Sequence, residues 1–134
     1  MRVYLDSSAL IKRVIDEQES EALVTFLDTH YEQADLLASS SLAWVEVSRA
    51  VLARARSATA GQLIEDAMSG VDERSMSADV VSVARRVEPL VRTLDAIHLA
   101  TAVLIDADLV VTYDDRLADA CRRNALPVTM PGRD

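Results

Sequence analysis

Val3-Tyr4-Leu5-Asp6-Ser7-Ser8-Ala9-Leu10 is the stretch that decides the fold. Three β-prone apolar residues end on an aspartate, and Ser7 or Ser8 can cap the amphipathic stretch from Ala9 to Ile15. The segment therefore reads as strand, turn and helix. Leu109-Val110-Val111-Thr112 is the clearest further strand, followed by Asp114, Asp115 and a helix from Arg116 to about Asn124. Leu36 to Ser39 predicts a short buried strand, and Pro127 to Thr129 a last one before the tail Met130 to Asp134.

Between these strands the apolar residues recur at helical spacing. A second helix starts at Ser20 with Leu23, Phe26 and Leu27 and frays near His30 to Ala34, which reads as loop. Ser40 or Ser41 caps a third, carrying Leu42, Val45, Val51 and Leu52; Leu63, Ile64, Ala67 and Met68 mark a fourth that stops near Gly70. Val71 to Met76 reads as loop or a weak edge strand. Ser77 caps a helix through Val80, Val83, Ala84 and Val87 that Pro89 breaks or kinks, and Thr93 is a good cap for a nearly all-apolar helix from Leu94 to Ile105. Short apolar strands without polar alternation, separated by helices, predict an α/β fold: a compact three-layer domain with a central parallel sheet of four or five strands flanked by helices. Ligands in such folds bind beyond the carboxyl ends of the strands.

The 134 residues suit one domain over 1–134 with a single core. Half are hydrophobic but only 4% aromatic, so Ala, Val, Leu and Ile must build that core. Three glycines and three prolines are too few for a many-turned all-β architecture. Cys121 is the only cysteine, which excludes an internal disulfide and a cysteine-cluster metal site, so a metal would be held by oxygens. No leader or membrane span is legible, and the expected location is the cytoplasm. The net charge of −8 argues against nucleic-acid binding by general attraction but leaves room for a local basic groove. Lys12 is the sole lysine among 14 basic residues.

Four segments bring a carboxylate to the suspect edge. Asp6 follows the first strand, Glu46 lies early in the third helix, Asp95 is in the first turn of the apolar helix, and Asp114 and Asp115 follow the Val110 strand. Each alone has an ordinary explanation, as a cap, a helix-dipole partner or a solvated face. Together around one point they would repel each other unless a cation neutralised them, and Mg²⁺ or Mn²⁺ suits an all-oxygen site. Phosphodiester hydrolysis is the reaction that such a constellation serves.

The chain resembles the PIN-domain family, and within it the VapC-type ribonuclease toxins of toxin-antitoxin pairs. The resemblance runs through Leu5-Asp6-Ser7-Ser8-Ala9-Leu10, Val45-Glu46-Val47, Leu94-Asp95-Ala96-Ile97-His98-Leu99-Ala100-Thr101-Ala102 and Val111-Thr112-Tyr113-Asp114. It implies a PIN-like fold and an endoribonuclease whose Asp6, Glu46, Asp95 and Asp114 hold Mg²⁺ or Mn²⁺, with Asp6 and Asp95 the surest ligands and Asp115 the alternative fourth acid. It also implies a homodimer and a cognate antitoxin covering the groove. Ser7, Ser8 and Thr112 are placed to orient carboxylates or waters. Arg13, Arg49, Arg116 and Arg122 are the candidates for RNA phosphates, against a default of solvated surface.

His98, three residues after Asp95, reads first as a histidine packed in its helix and second as a general base. Trp44 reads as a core anchor rather than a stacking platform. Water attack displacing the 3′ oxygen would leave 5′-phosphate and 3′-hydroxyl ends. A phosphorelay receiver domain would need a lysine after a late strand and a second acid beside Asp6, and a dehalogenase-like phosphatase an aspartate where Ser8 stands. Walker-type and dinucleotide motifs are absent. A catalytically silent PIN-like binding or assembly module is the competing reading, opposed by the presence of all four acids.

Overall fold

The computed structural model describes residues 1–134, Ser57 by its backbone alone. In chain order the elements are β1 (Arg2–Leu5), α1 (Ser7–Lys12), α2 (Ser20–Glu32), β2 (Leu36–Ser40), α3 (Ser41–Arg54), α4 (Ser57–Met68), β3 (Asp72–Arg74), α5 (Ala78–Ala84), α6 (Thr93–Leu104), β4 (Leu109–Val111), α7 (Asp115–Arg123) and β5 (Val128–Thr129). The five strands form one parallel sheet in the order β3-β2-β1-β4-β5. The chain thus builds outward from β1 in one direction, returns, and builds outward in the other. That reversal puts a crevice beyond the carboxyl ends of β1 and β4.

Side-chain alternation within the strands feeds two cores. Val3, Leu5, Leu37 and Val111 point to the layer made by α1 to α4, where they meet Leu10, Leu23, Val47 and Val51. Tyr4, Ala38 and Val110 point to the other layer, against Leu99 and Ala102 of α6 and Leu117 and Cys121 of α7. Both faces are covered, which is why the strands read as unbroken apolar runs. Leu10 is fully buried at the centre of the first core. Leu10→Ala is expected to lower unfolding stability by about 2–5 kcal/mol, read from urea unfolding, while the polar groups at the sheet's carboxyl edge keep their hydrogen bonds.

Several boundaries differ from the sequence expectation. The helix expected to reach Ile15 ends at Lys12, and its cap is the carboxylate of Asp6, which accepts the Ala9 amide, rather than Ser7 or Ser8. Arg92, not Thr93, occupies the cap position of α6 and supplies no side-chain cap bond. Val71 to Met76 does contain an edge strand, paired with β2. The helix after Ser77 ends at Ala84, before Val87 and Pro89. His30 lies within α2, bonded to Asp35 and packed on Phe26. Trp44 is half-buried against the first core, as a core anchor should be.

The C-terminal tail is tied down. Asp134 accepts hydrogen bonds from Thr129 and the Met130 amide, while Arg133 reaches Glu19 and the Tyr113 carbonyl. Gly132 makes this possible. Its φ of +88° is left-handed, and a Cβ there would stand 2.9 Å from the Ala22 Cβ.

Candidate active site: an acidic cluster at the switch point

Asp6 sits where β1 ends. Its Oδ1 accepts the Ser8 hydroxyl at 2.7 Å and the Ala9 amide at 3.1 Å, and its Oδ2 accepts the Thr112 hydroxyl at 2.6 Å. Burial pushes its carboxyl above the usual range, and the nearby His98 imidazole and the bonds from Thr112, Ser8 and Ala9 only partly offset this. A buried acid so placed is held ionised most readily by a nearby cation.

Thr112 follows β4 and joins two acids. Its hydroxyl donates to Asp6 and accepts the Asp114 amide at 3.0 Å. Asp114 caps α7, where its Oδ1 accepts the amides of Arg116 and Leu117, and this leaves Oδ2 facing outward. Asp115 points away, with its side chain 83% exposed and Arg133 at 3.8 Å. Cap geometry therefore puts Asp114, and not Asp115, beside the other carboxylates. Thr112→Val removes the hydroxyl between Asp6 and Asp114, and a divalent ion held by these acids would be bound about 10–100-fold more weakly, read by titration calorimetry.

Glu46 comes from the second turn of α3. Its Oε1 accepts the Ser7 hydroxyl at 2.6 Å and bonds His98 Nε2 at 2.7 Å. Burial pushes the Glu46 carboxyl up, but the His98 and Ser7 hydrogen bonds outweigh it and hold the group below its ordinary value. An ionised carboxylate only accepts, so His98 Nε2 carries the proton; in the neutral ring Nδ1 then accepts from the buried Tyr4 hydroxyl, 2.6 Å away. His98 is thus bonded on both nitrogens, a packed histidine that orients Glu46.

Asp95, 6% exposed, lies in the first turn of α6. Its Oδ2 accepts Arg92 Nε at 2.9 Å, and Asp114 Oδ2 accepts Nη2 of the same guanidinium at 2.9 Å. Arg92 is not among the residues that the sequence singles out, although an arginine three positions before Asp95 is a legible helix-surface pair. Of the arginines that are, Arg116 lines a cleft of about 150 Å³ next to Asp95, together with Arg92 and Arg123. Arg49 is exposed on α3 and Arg122 pairs with Asp119 at 3.5 Å. Arg13 is a correction. Its guanidinium donates to the Ala67 and Ser69 carbonyls at the end of α4, near the start of β2 and β3, so it faces the opposite edge of the sheet.

The donor set fits a hard divalent ion. Every candidate ligand is an oxygen, the Cys121 thiol is pushed up to about 12 by burial, and Asp95 and Asp114 already converge on one cation. No group of three or more His, Cys, Asp or Glu side chains among the described residues is set to hold a metal ion. No helix among them is long and apolar enough to cross a membrane.

A parallel sheet covered on both faces, with an acid after β1, one on the next core helix, one opening α6 and one after β4, defines a class that comparison with known proteins identifies. The PIN domain model matches residues 3–123, and the chain belongs to the PIN-domain family. Within it the chain is of the VapC type. It is 41% identical over 133 residues to ribonuclease VapC46 of Mycobacterium tuberculosis, covering 96% of this chain and 97% of that one. Ribonuclease VapC47 of the same species is 37% identical over 135 residues, with 97% of each covered. Among solved structures, VapBC2 from Rickettsia felis, bound to a promoter DNA fragment, superposes with a TM-score of 0.78 over 96% of this chain and 98% of that one, at 13% identity.

Proposed function

We propose that the protein is a Mg²⁺- or Mn²⁺-dependent endoribonuclease, the toxin of a VapBC-like pair, with Asp6, Glu46, Asp95 and Asp114 as its metal-holding acids. The observation that carries this is the linkage of three acids near the carboxyl ends of β1 and β4, Asp6 to Asp114 through the Thr112 hydroxyl and Asp114 to Asp95 through the Arg92 guanidinium. A bound ion would lower the pKa of a water and offset charge on the phosphate under attack.

The chain's own residues supply the rest. Ser8 and Thr112 fix both oxygens of Asp6, while Ser7 and His98 fix Glu46, so these acids are oriented before any ligand arrives. Arg116, with its side chain exposed beside Asp95, is placed to take an RNA phosphate, and Arg49, on the exposed side of α3, is a second candidate. The full-length kinship to VapC ribonucleases supports an RNA substrate, and the VapBC fold neighbour supports a cognate antitoxin. The uncovered apolar residues Val81, Leu90 and Leu94 support a homodimer, which light scattering at two protein concentrations would test.

The reading is tested by incubating purified, antitoxin-free protein with total cellular RNA, with and without Mn²⁺. Discrete fragments that need the ion and carry 5′-phosphate and 3′-hydroxyl ends are expected. Cleavage that survives removal of divalent ions, or that leaves 2′,3′-cyclic ends, overturns the mechanism. Absence of cleavage, together with absence of ion binding, would favour the silent binding module.

A further inference from the structure

Arg92 stands apart from every other cation in the molecule because one guanidinium joins two of the site acids. Nε bonds Asp95 and Nη2 bonds Asp114, each at 2.9 Å, with the two carboxylates supplied by different helices. A planar fork suits this bridging, because two different nitrogens of one rigid group each take one carboxylate. Two negative groups drawn to one place thereby share one positive charge, which offsets half of theirs without any ligand from outside.

Beyond these two carboxylates nothing holds the side chain among the described residues. Arg92 is the cap residue of α6, its own side chain makes no cap bond, and it is 51% exposed. Rotation about its side-chain torsions would carry the guanidinium away without unwinding the helix, and the cleft lined by Leu90, Arg116 and Asp119 opens beside it. Lys12 offers the contrast. Its side chain is 4% exposed and locked to Glu17 and Glu19, so it is a structural cation with nowhere to go.

We infer that Arg92 is an internal cation that competes with the divalent ion for Asp95 and Asp114, holding the site closed to metal until its side chain swings out. The inference rests on the acidic cluster being an ion site, as proposed above. A group that occupies the ligands for most of the time lowers the apparent ion affinity by the fraction of molecules left competent. Removing it therefore raises that affinity, the opposite of what loss of a structural residue would do.

Titration calorimetry with MnCl₂ on wild type, Arg92→Gln, Arg92→Lys and Asp95→Asn tests this. Arg92→Gln is expected to bind Mn²⁺ about tenfold more tightly than wild type, and Arg92→Lys to fall between them. Thermal unfolding supplies an independent readout: Arg92→Gln should melt below wild type without the ion, and the gap should close at saturating Mn²⁺. Equal or weaker Mn²⁺ binding by Arg92→Gln, in a wild type that does bind the ion through Asp95, overturns the role of Arg92 and leaves the ion site standing. Binding by none of the proteins overturns the ion site and this inference together.

Discussion

Asp95→Asn is expected to lower RNA cleavage by about a thousandfold, equivalent to about 4 kcal/mol of transition-state stabilisation. The side chain is buried to 6% exposure, and its one side-chain partner among the described residues is Arg92, to which an asparagine carbonyl can still accept a hydrogen bond. The fold therefore survives the substitution while one of the charges that would hold the ion is lost. Single-turnover cleavage beside a circular-dichroism melt separates the two effects. Activity within tenfold of wild type would remove Asp95 from the machinery.

The second large effect falls on stability. His98→Leu should cost about 2–4 kcal/mol in urea unfolding, because it leaves the Tyr4 hydroxyl buried without its acceptor and takes from Glu46 one of its two donors. Burial and the charge of Asp6 push the Tyr4 hydroxyl well above its ordinary range, so it stays a phenol that must find an acceptor. Tyr4→Phe deletes that hydroxyl, leaves His98 Nδ1 without its donor and keeps the His98–Glu46 bond in place. Its cost should be only about 1 kcal/mol, with cleavage retained. If both variants lost the same stability, the bond to Glu46 would carry none of it.

What can be read from the residues follows from where local chemistry is sufficient. β1 and β4 are legible because three consecutive apolar residues with an aspartate one or three positions beyond leave few alternatives to a buried strand and a cap. β3 is legible only as loop or a weak edge strand, since Asp72-Glu73-Arg74 has no apolar residue and owes its strand form to pairing with β2. Asp6 and Asp114 follow from the same strand-end logic, whereas Glu46 and Asp95 are read from their places early in α3 and α6. The choice between Asp114 and Asp115 depends on the α7 cap, which takes one Asp114 oxygen and turns the other toward Arg92. Arg13 departs from its expected place because it follows the far end of α1 from the one that Asp6 caps, where its guanidinium meets the carbonyls at the end of α4.

His98 shows the limit of periodicity. Spacing of three from Asp95 puts it on a plausible face, but only tertiary structure shows Tyr4 from the sheet and Glu46 from α3 on its two nitrogens. Arg92 escapes the sequence for a related reason. Thr93 is the better cap by residue type, yet the chain is extended at Arg92 and helical from Thr93, so the arginine stands at the mouth of the site. Its partner Asp114 is 22 residues away in sequence, beyond the reach of any local pattern.

The most direct test of the central claim is an anomalous-difference map at the manganese edge, from crystals of protein shown to cleave RNA with Mn²⁺. A peak about 2–2.5 Å from carboxylate oxygens of Asp6 and Asp95, with Glu46 or Asp114 alongside, is the expected result. An ordered manganese elsewhere in the molecule, with none among these four acids, would contradict it.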